Sequence, residues 1–136
     1  MHIDADVHEF LNRKLPAMLA VVGTFAKDGY PQLVPVWYRW DGQEIIIWTL
    51  ESRAWVQNIL RDPRSGVSVA EEMGSMAVMM RGHASIETSE GQHINDEIMR
   101  ITQRYVPESG IAEYINPWSH LRTMVRIRPR KLYVWR

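Results

Sequence analysis

Residues 17–50 contain three apolar segments separated by two Asp-Gly turns, and this pattern restricts the fold more than any other feature of the chain. The turns are "KDG" at 27–29 and "WDG" at 40–42, and Asp-Gly supplies the positive φ angle that a tight hairpin needs. Pro35 lies inside the middle segment, which predicts an edge strand or a bulge because proline cannot donate to a strand ladder. The region therefore predicts three antiparallel strands joined by hairpins.

Apolar residues at helical spacing predict three helices, each preceded by a residue that is suited to cap it. The predicted spans are 7–15 with Asp6 as the cap, 52–62 with Ser52, and 89–106 with Ser89. The segment 109–116 predicts one or two further helical turns.

Alternating side chains predict the remaining strands at 64–72, 74–88 and 122–136. Gly82 is a candidate bulge in the second of these, and Pro129 is predicted to divide the last one into two pieces. The chain is thus predicted to be mainly β with α, as a six-stranded antiparallel barrel with flanking helices. Its length fits one domain over residues 1–136.

The composition excludes several classes of protein. Lys+Arg and Asp+Glu both number 16, whereas a nucleic-acid-binding protein usually has a basic excess. There is no cysteine, so disulfides and thiolate chemistry are excluded. The polar start of the sequence is unlike a signal peptide, and no apolar run approaches the roughly 18 residues that span a bilayer. We expect a cytoplasmic protein with no membrane or nucleic-acid partner.

No catalytic or metal motif is present. No two of the 5 histidines have the i, i+4 spacing of a zinc-binding helix, and there is no nucleophile elbow or phosphate-binding glycine loop. Catalytic residues are therefore unknown and no metal is predicted. No proton donor is assigned: Tyr38 and His83 are candidates only, and His83 is better explained as a half-exposed strand residue.

The strand-to-helix junction at 49–58 is a candidate anion site. Thr49 and Ser52 offer hydroxyl donors, Arg53 offers a guanidinium, and a helix N-terminus presents free N–H groups. A helix-capping Ser52 beside a solvated Arg53 explains the same residues equally well. The 6 tryptophans are more often core or interface residues, but together they could line a flat aromatic cofactor or a dimer seam.

Five segments in this order resemble the pyridoxamine 5'-phosphate oxidase-like family, the flavin and deazaflavin split barrels. They are "G-x-P-Q-x-V-P-V-W", an Asp-Gly turn with an apolar strand ending in Thr, "S-R-x-x-x-x-N-x-x-x-D-P-R", "MRGHASI" and "VRIRPRKLYVW". The resemblance implies a homodimer with two cofactor sites at the interface.

The flavin ring would lie against Pro35, Val36 and Trp37, and the phosphate would bind Thr49, Ser52 and Arg53. The remaining cofactor-binding residues that it implies are Asn58, which matches the helix asparagine of the family, and Trp135, which would cover the ring from the partner chain.

One departure from the family pattern concerns the phosphate. Many relatives have lysine after the Ser-Arg pair, but this chain has Ala54, so one charge-assisted hydrogen bond is missing. The cations that are candidates to replace it are Lys14, Arg39, Arg81 and Arg126.

The resemblance implies an oxidoreductase that uses FMN, or alternatively the deazaflavin coenzyme F420, to transfer hydride to or from a small organic substrate. The alternatives are a non-catalytic carrier of a flavin, a deazaflavin or heme, and an interaction protein whose tryptophans form only the dimer interface. The arginine-rich substrate motif of a true pyridoxamine phosphate oxidase is missing, so that reaction is not predicted.

Overall fold

The computed structural model describes residues 1–136, and it contains seven strands in one antiparallel sheet together with four helices. The strands are β1 (Ala20–Phe25), β2 (Pro31–Val36), β3 (Arg39–Trp40), β4 (Ile45–Thr49), β5 (Arg64–Ala70), β6 (Ala77–Thr88) and β7 (Thr123–Trp135). The helices are α1 (Ala5–Leu11), α2 (Ala54–Arg61), α3 (Gln92–Thr102) and α4 (Ile111–Trp118), with a 3-10 turn at Glu108–Gly110.

The two edges of the sheet are joined by a very short piece of chain. The strand order is β2-β1-β5-β6-β7-β4-β3, so β2 and β3 form opposite edges, yet only Trp37 and Tyr38 separate them in sequence. Consecutive Cα atoms are about 3.8 Å apart, so Val36 and Arg39 lie within about 11 Å of each other. The sheet must therefore curl until its edges nearly meet, which confirms a mainly β, antiparallel split barrel. The opening between β2 and β3 is termed the seam.

The seam also accounts for one more strand than the six predicted. The middle segment of the 17–50 region does not run unbroken, because the backbone of Tyr38 is bound by side chains instead of a neighbouring strand. Its N–H donates to the hydroxyl of Tyr105 at 3.1 Å, and its carbonyl accepts from Arg104. These bonds satisfy the polar backbone where the ladder is interrupted. The prediction that Pro35 marks an edge strand is confirmed, since β2 has a partner on one side only.

Both predicted Asp-Gly turns are confirmed. Gly29 and Gly42 adopt φ angles of 86° and 98°, which a residue with a Cβ rarely adopts. The aspartate before each glycine accepts backbone hydrogen bonds that close the turn: Asp28 accepts from Tyr30, and Asp41 accepts from Gln43 and Glu44.

The last strand differs from the prediction, because β7 is continuous through Pro129. A register shift at Arg81/Gly82 leaves Arg130 as an extra residue on β7, so the bulge predicted at Gly82 has its additional residue on the opposite strand. A Cβ on Gly82 would lie 1.9 Å from the carbonyl oxygen of Arg128. This close approach of two backbones requires glycine.

The predicted helix caps are wrong by one to two residues. Asp4, Arg53 and Gly91 occupy the N-cap positions of α1, α2 and α3, and none forms a side-chain capping bond. Asp6 lies inside the first turn of α1 and Ser52 lies before the cap of α2, so neither residue caps. The hydroxyl of Ser89 accepts from the N–H of Gly91 and thus orders the approach to α3 instead of capping it.

The main core fills the barrel. It comprises 19 buried residues, from α1, α2, Tyr38 and the inner faces of β1, β3, β4, β5, β6 and β7. A second cluster of 5 buried residues packs Ile94, Ile98 and Ile101 of α3 onto Ile46 and Met124 on the outside of the barrel. No helix is long and apolar enough to cross a bilayer.

Candidate functional site

A cleft of about 860 Å³ opens at the seam, and it is termed the seam cleft. Its walls come from β2, the end of β4, the first turn of α2 and the two helices that lie between β6 and β7. Most of the lining side chains are apolar. The volume lies within the range of about 300–1,000 Å³ that is typical of small-molecule sites.

Six of the eight residues proposed from sequence to bind a cofactor line this cleft. They come from two stretches of chain that are distant in sequence, the β2 end and the junction after β4: Pro35, Val36, Trp37, Thr49, Ser52 and Arg53. The barrel brings them together because β2 lies on one side of the seam and β4, the neighbour of edge strand β3, lies on the other.

The other two residues do not line the cleft. Asn58 is buried, where its amide donates to the side-chain oxygens of Thr24 at 3.1 Å and Gln32 at 2.7 Å. Because Gln32 lines the cleft, Asn58 holds a wall residue in place. Trp135 lies at the end of β7 opposite Ala77, with 60% of its surface exposed. Within one chain it does not reach the cleft.

Stacked aromatic rings form one wall of the seam cleft. Trp37 stacks on Tyr105 with ring centroids 4.5 Å apart and on Tyr114 with centroids 4.8 Å apart. Trp48 and Trp118 also line the cleft, and the indole N–H of Trp48 donates to the carbonyl of Leu121 at 2.6 Å. These contacts fix the rings, so the aromatic wall is ordered within the chain itself.

A buried arginine supports this wall from behind. Arg104 is 7% exposed, and it donates to the carbonyls of Tyr38, Leu11 and Arg13. Its guanidinium also lies 4.4 Å from the ring centroid of Tyr38. No carboxylate lies within ion-pair distance, so backbone carbonyls alone hold the charge.

Burial raises the pKa of Tyr105 to about 12, and it raises the pKa of Tyr38 as well. Tyr105 donates to the carbonyl of Met18 at 2.7 Å, and Tyr38 donates to that of Leu11 at 2.8 Å. Both phenols therefore remain protonated and act as fixed donors. Tyr38, a candidate proton donor from sequence, is fully buried in the core and does not line the cleft.

The first turn of α2 forms the polar end of the cleft. The backbone N–H groups of Ala54 and Trp55 have no acceptor within the chain, and the first turn has no acidic side chain. Arg53 is exposed and has no carboxylate within ion-pair distance, unlike Arg39 and Arg64. Free N–H groups and an unpaired guanidinium favour an anion at this end.

None of the four cations suggested as replacements for the missing lysine lines the seam cleft. Arg39 is engaged instead in a two-pronged pair with the buried Glu97, with N–O distances of 3.0 and 2.6 Å. His83, the other candidate proton donor, is exposed and lines a separate cleft on the outer face of the sheet.

The titratable groups in the seam cleft are few. Its lining contains Arg53 and Tyr114 but no aspartate, glutamate or histidine. Burial raises the pKa of Tyr114, so its phenol is protonated at neutral pH. No group of three acidic or histidine side chains in the chain could hold a metal ion.

Sequence reasoning missed the contribution of α4. Tyr114 and Trp118 lie four residues apart, so both face the cleft from one side of the helix. The spacing was visible in the sequence, but nothing in it indicated that this helix would lie across the seam. Gln32 was also missed, because its role depends on its contact with Asn58.

Comparison with solved structures gives matches over nearly the whole chain. A conserved hypothetical protein from Mycobacterium tuberculosis is 23% identical with a TM-score of 0.78, and the match covers 99% of this chain and 85% of that one. An F420 reductase is 20% identical with a TM-score of 0.73, covering 96% and 98%. The heme storage protein HutZ from Vibrio cholerae is 16% identical with a TM-score of 0.73, covering 98% and 95%. At these identities the likeness establishes the fold.

A search of curated proteins found no match. The sequence profile of the pyridoxamine 5'-phosphate oxidase family matches residues 3–136. Structures described as members of that oxidase family share the same fold, among them a relative of general stress protein 26 from Clostridium acetobutylicum. The chain therefore belongs to the pyridoxamine 5'-phosphate oxidase family.

Proposed function

We propose that the seam cleft binds FMN, or alternatively coenzyme F420, and that the protein is an oxidoreductase acting on a small organic substrate. The observation that carries the proposal is the combination within one cleft of an apolar wall rich in aromatic rings and a polar end with free N–H groups and an unpaired arginine. An F420 reductase among the structural neighbours supports the same assignment.

The residues present fit a flat ring with an anionic tail. Pro35, Val36 and the aromatic wall offer the ring an apolar surface, and Arg53 with the free N–H groups of α2 offers the phosphate its donors. Thr49 and Ser52 add hydroxyl groups at the same end. A bound flavin or deazaflavin supplies the hydride chemistry itself, so the chain needs only to orient the ring and to exclude water.

We also propose a homodimer with the cofactor sites at its interface. The outer face of β1 and β2 carries exposed apolar side chains, Val21 at 37% and Leu33 at 68%. Trp135 is exposed on the last strand, where a second copy of the chain could receive it. In this arrangement Trp135 covers the ring bound to the partner.

A non-catalytic carrier is the second candidate, and the lining of the seam cleft favours it in one respect. No carboxylate or imidazole lies there to exchange a proton with a substrate. Heme fits less well than a flavin, because Tyr114 is the only side chain in the lining of a type that commonly ligates heme iron.

The test is a titration of the purified protein with FMN and with F420 side by side. Arg53→Ala should weaken binding of the preferred coenzyme about tenfold to a hundredfold, because one charge-assisted contact with the phosphate is lost. Arg128→Ala, which removes an exposed arginine outside the seam cleft, should leave the affinity unchanged. Failure of both coenzymes to bind would overturn the proposed function.

Turnover distinguishes the two candidates. Bleaching of the bound ring by NADPH or a reduced deazaflavin, followed by reoxidation with an organic acceptor, identifies an oxidoreductase. Stable binding without reduction identifies a carrier.

A further inference from the structure

A second cleft of about 550 Å³ lies on the outer face of the sheet, away from the seam. It is termed the basic cleft, because its lining includes Arg64, Arg81, Arg130 and Lys131 but no aspartate or glutamate. The chain as a whole has a formal net charge of zero, so this concentration of positive charge is local.

The β-bulge brings two of these cations to one side of β7. In a regular strand, consecutive side chains point to opposite faces. Here the register passes from Arg81↔Lys131 to Gly82↔Pro129, and Arg130 has no partner in the ladder. As a result Arg130 and Lys131 are both exposed and both line the basic cleft. A bulge re-aims side chains in this manner.

Two glycines form the floor of the basic cleft. Gly23 of β1 pairs with Gly66 of β5, and Gly66 pairs with Arg81 of β6. A Cβ added to Gly66 would meet only a backbone oxygen, that of Met80 at 3.7 Å. Gly66 thus leaves a hollow in the sheet surface that a larger side chain would fill.

Most of the positive charge in the basic cleft has no protein counter-ion. Arg64 pairs with Asp62, with an N–O distance of 2.6 Å, and it also lies over the ring of Phe25. Arg81 donates to the neutral hydroxyl of Tyr133 at 2.8 Å. Arg130 and Lys131 have no carboxylate within ion-pair distance, in contrast to Arg136, which pairs with Asp6. Cations gathered without partners attract an external anion.

We propose that the basic cleft is a second ligand site, which binds a small phosphorylated molecule through its phosphate oxygens. Arg81, Arg130 and Lys131 bind the oxyanion from the rim, and the glycine floor lets it approach the sheet closely. The balanced charge of the whole chain argues against nucleic acid, which requires an extended basic surface. This site is separate from the seam cleft, with which it shares no lining residue.

Isothermal titration with pyrophosphate tests the proposal, with the wild type compared to Arg130→Gln/Lys131→Gln. We expect the double variant to lose affinity about tenfold to a hundredfold. Arg126→Gln is the matched control, because Arg126 lies on the same strand but does not line the basic cleft; its affinity should stay within about twofold of the wild type. Gly66→Val retains every charge but fills the floor, so it should weaken binding as strongly as the double variant.

Three results would overturn the proposal. The first is no measurable pyrophosphate binding to the wild type. The second is an equal loss in the Arg126 and Arg130/Lys131 variants with none in Gly66→Val, which would indicate only a diffuse field. The third comes from an FMN titration: if the double variant loses FMN affinity while Arg53→Ala does not, the phosphate in the basic cleft belongs to the flavin and the site is not a second one. Unchanged FMN binding to a double variant that has lost pyrophosphate binding supports the proposal.

Discussion

The seam cleft and the basic cleft are built on the same sheet by opposite means. At the seam, the strand ladder is interrupted at Tyr38, and the side chains of Arg104 and Tyr105 take the place of a neighbouring strand. At the basic cleft, the ladder continues, but an extra residue and two glycines deform its surface. The seam cleft thus depends on side chains that bind the backbone in place of a neighbouring strand. The basic cleft depends on glycine residues, which leave space above the backbone.

This difference predicts which substitutions each cleft tolerates. Residues behind the seam cleft are large and buried, so their loss should be felt through unsatisfied carbonyls and lost packing. The floor of the basic cleft is made of glycine, so its shape changes only when a substitution there adds atoms. Substitutions that remove atoms behind the seam cleft and substitutions that add atoms beneath the basic cleft therefore test this difference.

The largest effect is expected for Gly82→Ala. Its Cβ would lie 1.9 Å from the carbonyl oxygen of Arg128, and backbone on both strands would have to move. We expect the free energy of unfolding in urea to fall by about 3 kcal/mol. Gly66→Ala is the control, since its Cβ meets nothing closer than 3.7 Å; it should change stability by less than about 1 kcal/mol. Equal effects at the two positions would show that the bulge is not rigid.

A smaller loss is expected for Arg104→Met. The substitution keeps most of the side-chain volume, but it leaves the carbonyls of Arg13 and Tyr38 without their arginine donor, and the carbonyl of Leu11 keeps only its bond from the Tyr38 hydroxyl. We expect a decrease of about 2 kcal/mol in the free energy of unfolding, and weaker coenzyme binding as the aromatic wall loosens. Arg100→Met removes a half-exposed partner of Glu97, and it should cost less than about 0.5 kcal/mol. An Arg104→Met protein with wild-type stability and coenzyme affinity would show that the hydrogen bonds of Arg104 do not support the seam cleft.

The smallest effect concerns alkaline pH. The pKa of Tyr105 is raised by burial to about 12, whereas the ordinary value is 10.0. The folded chain therefore holds this proton more tightly than the unfolded chain, and the resulting stability is fully present below pH 10 and is lost as pH rises towards 12. Urea midpoints measured from pH 9 to 12 should fall for the wild type and fall less steeply for Tyr105→Phe.

The exposed Tyr30 provides the control for the alkaline experiment. Tyr30→Phe should retain the wild-type slope, because the Tyr30 side chain is exposed in the folded chain. Identical slopes for all three proteins would contradict the burial of the Tyr105 hydroxyl.

The elements of the fold were largely predictable from local chemistry. Asp-Gly turns, alternating strands and the edge proline act within a few residues, so sequence alone locates them. The helix caps at Asp6, Ser52 and Ser89 were wrong, because a hydroxyl or carboxylate near a helix start has several backbone partners of similar energy. The extra strand could not be foreseen, since it depends on Tyr105 and Arg104, which lie more than sixty residues away from Tyr38 in sequence.

The candidate site divides in the same way. The residues of the seam cleft that lie on the "V-P-V-W" strand and the Ser-Arg junction were found from the resemblance, because the family pattern preserves their spacing. The wall formed by Tyr114 and Trp118 depends on where α4 lies, which no local signal fixes. The basic cleft was only partly predictable for a similar reason: the run "RIRPRK" at 126–131 indicates a possible basic patch, but only the bulge turns two of its cations towards Arg81.

The position of the seam cleft outside the core affects which substitutions the chain can accept. The seam cleft is an indentation beside the barrel, and the 19 residues that fill the interior are almost entirely different from those that line the cleft. Substitutions in the residues that line the cleft could therefore change which ligand it accepts, while the core residues that keep the chain folded stay the same. The structural neighbours fit this expectation, because an F420 reductase and a heme storage protein share this fold.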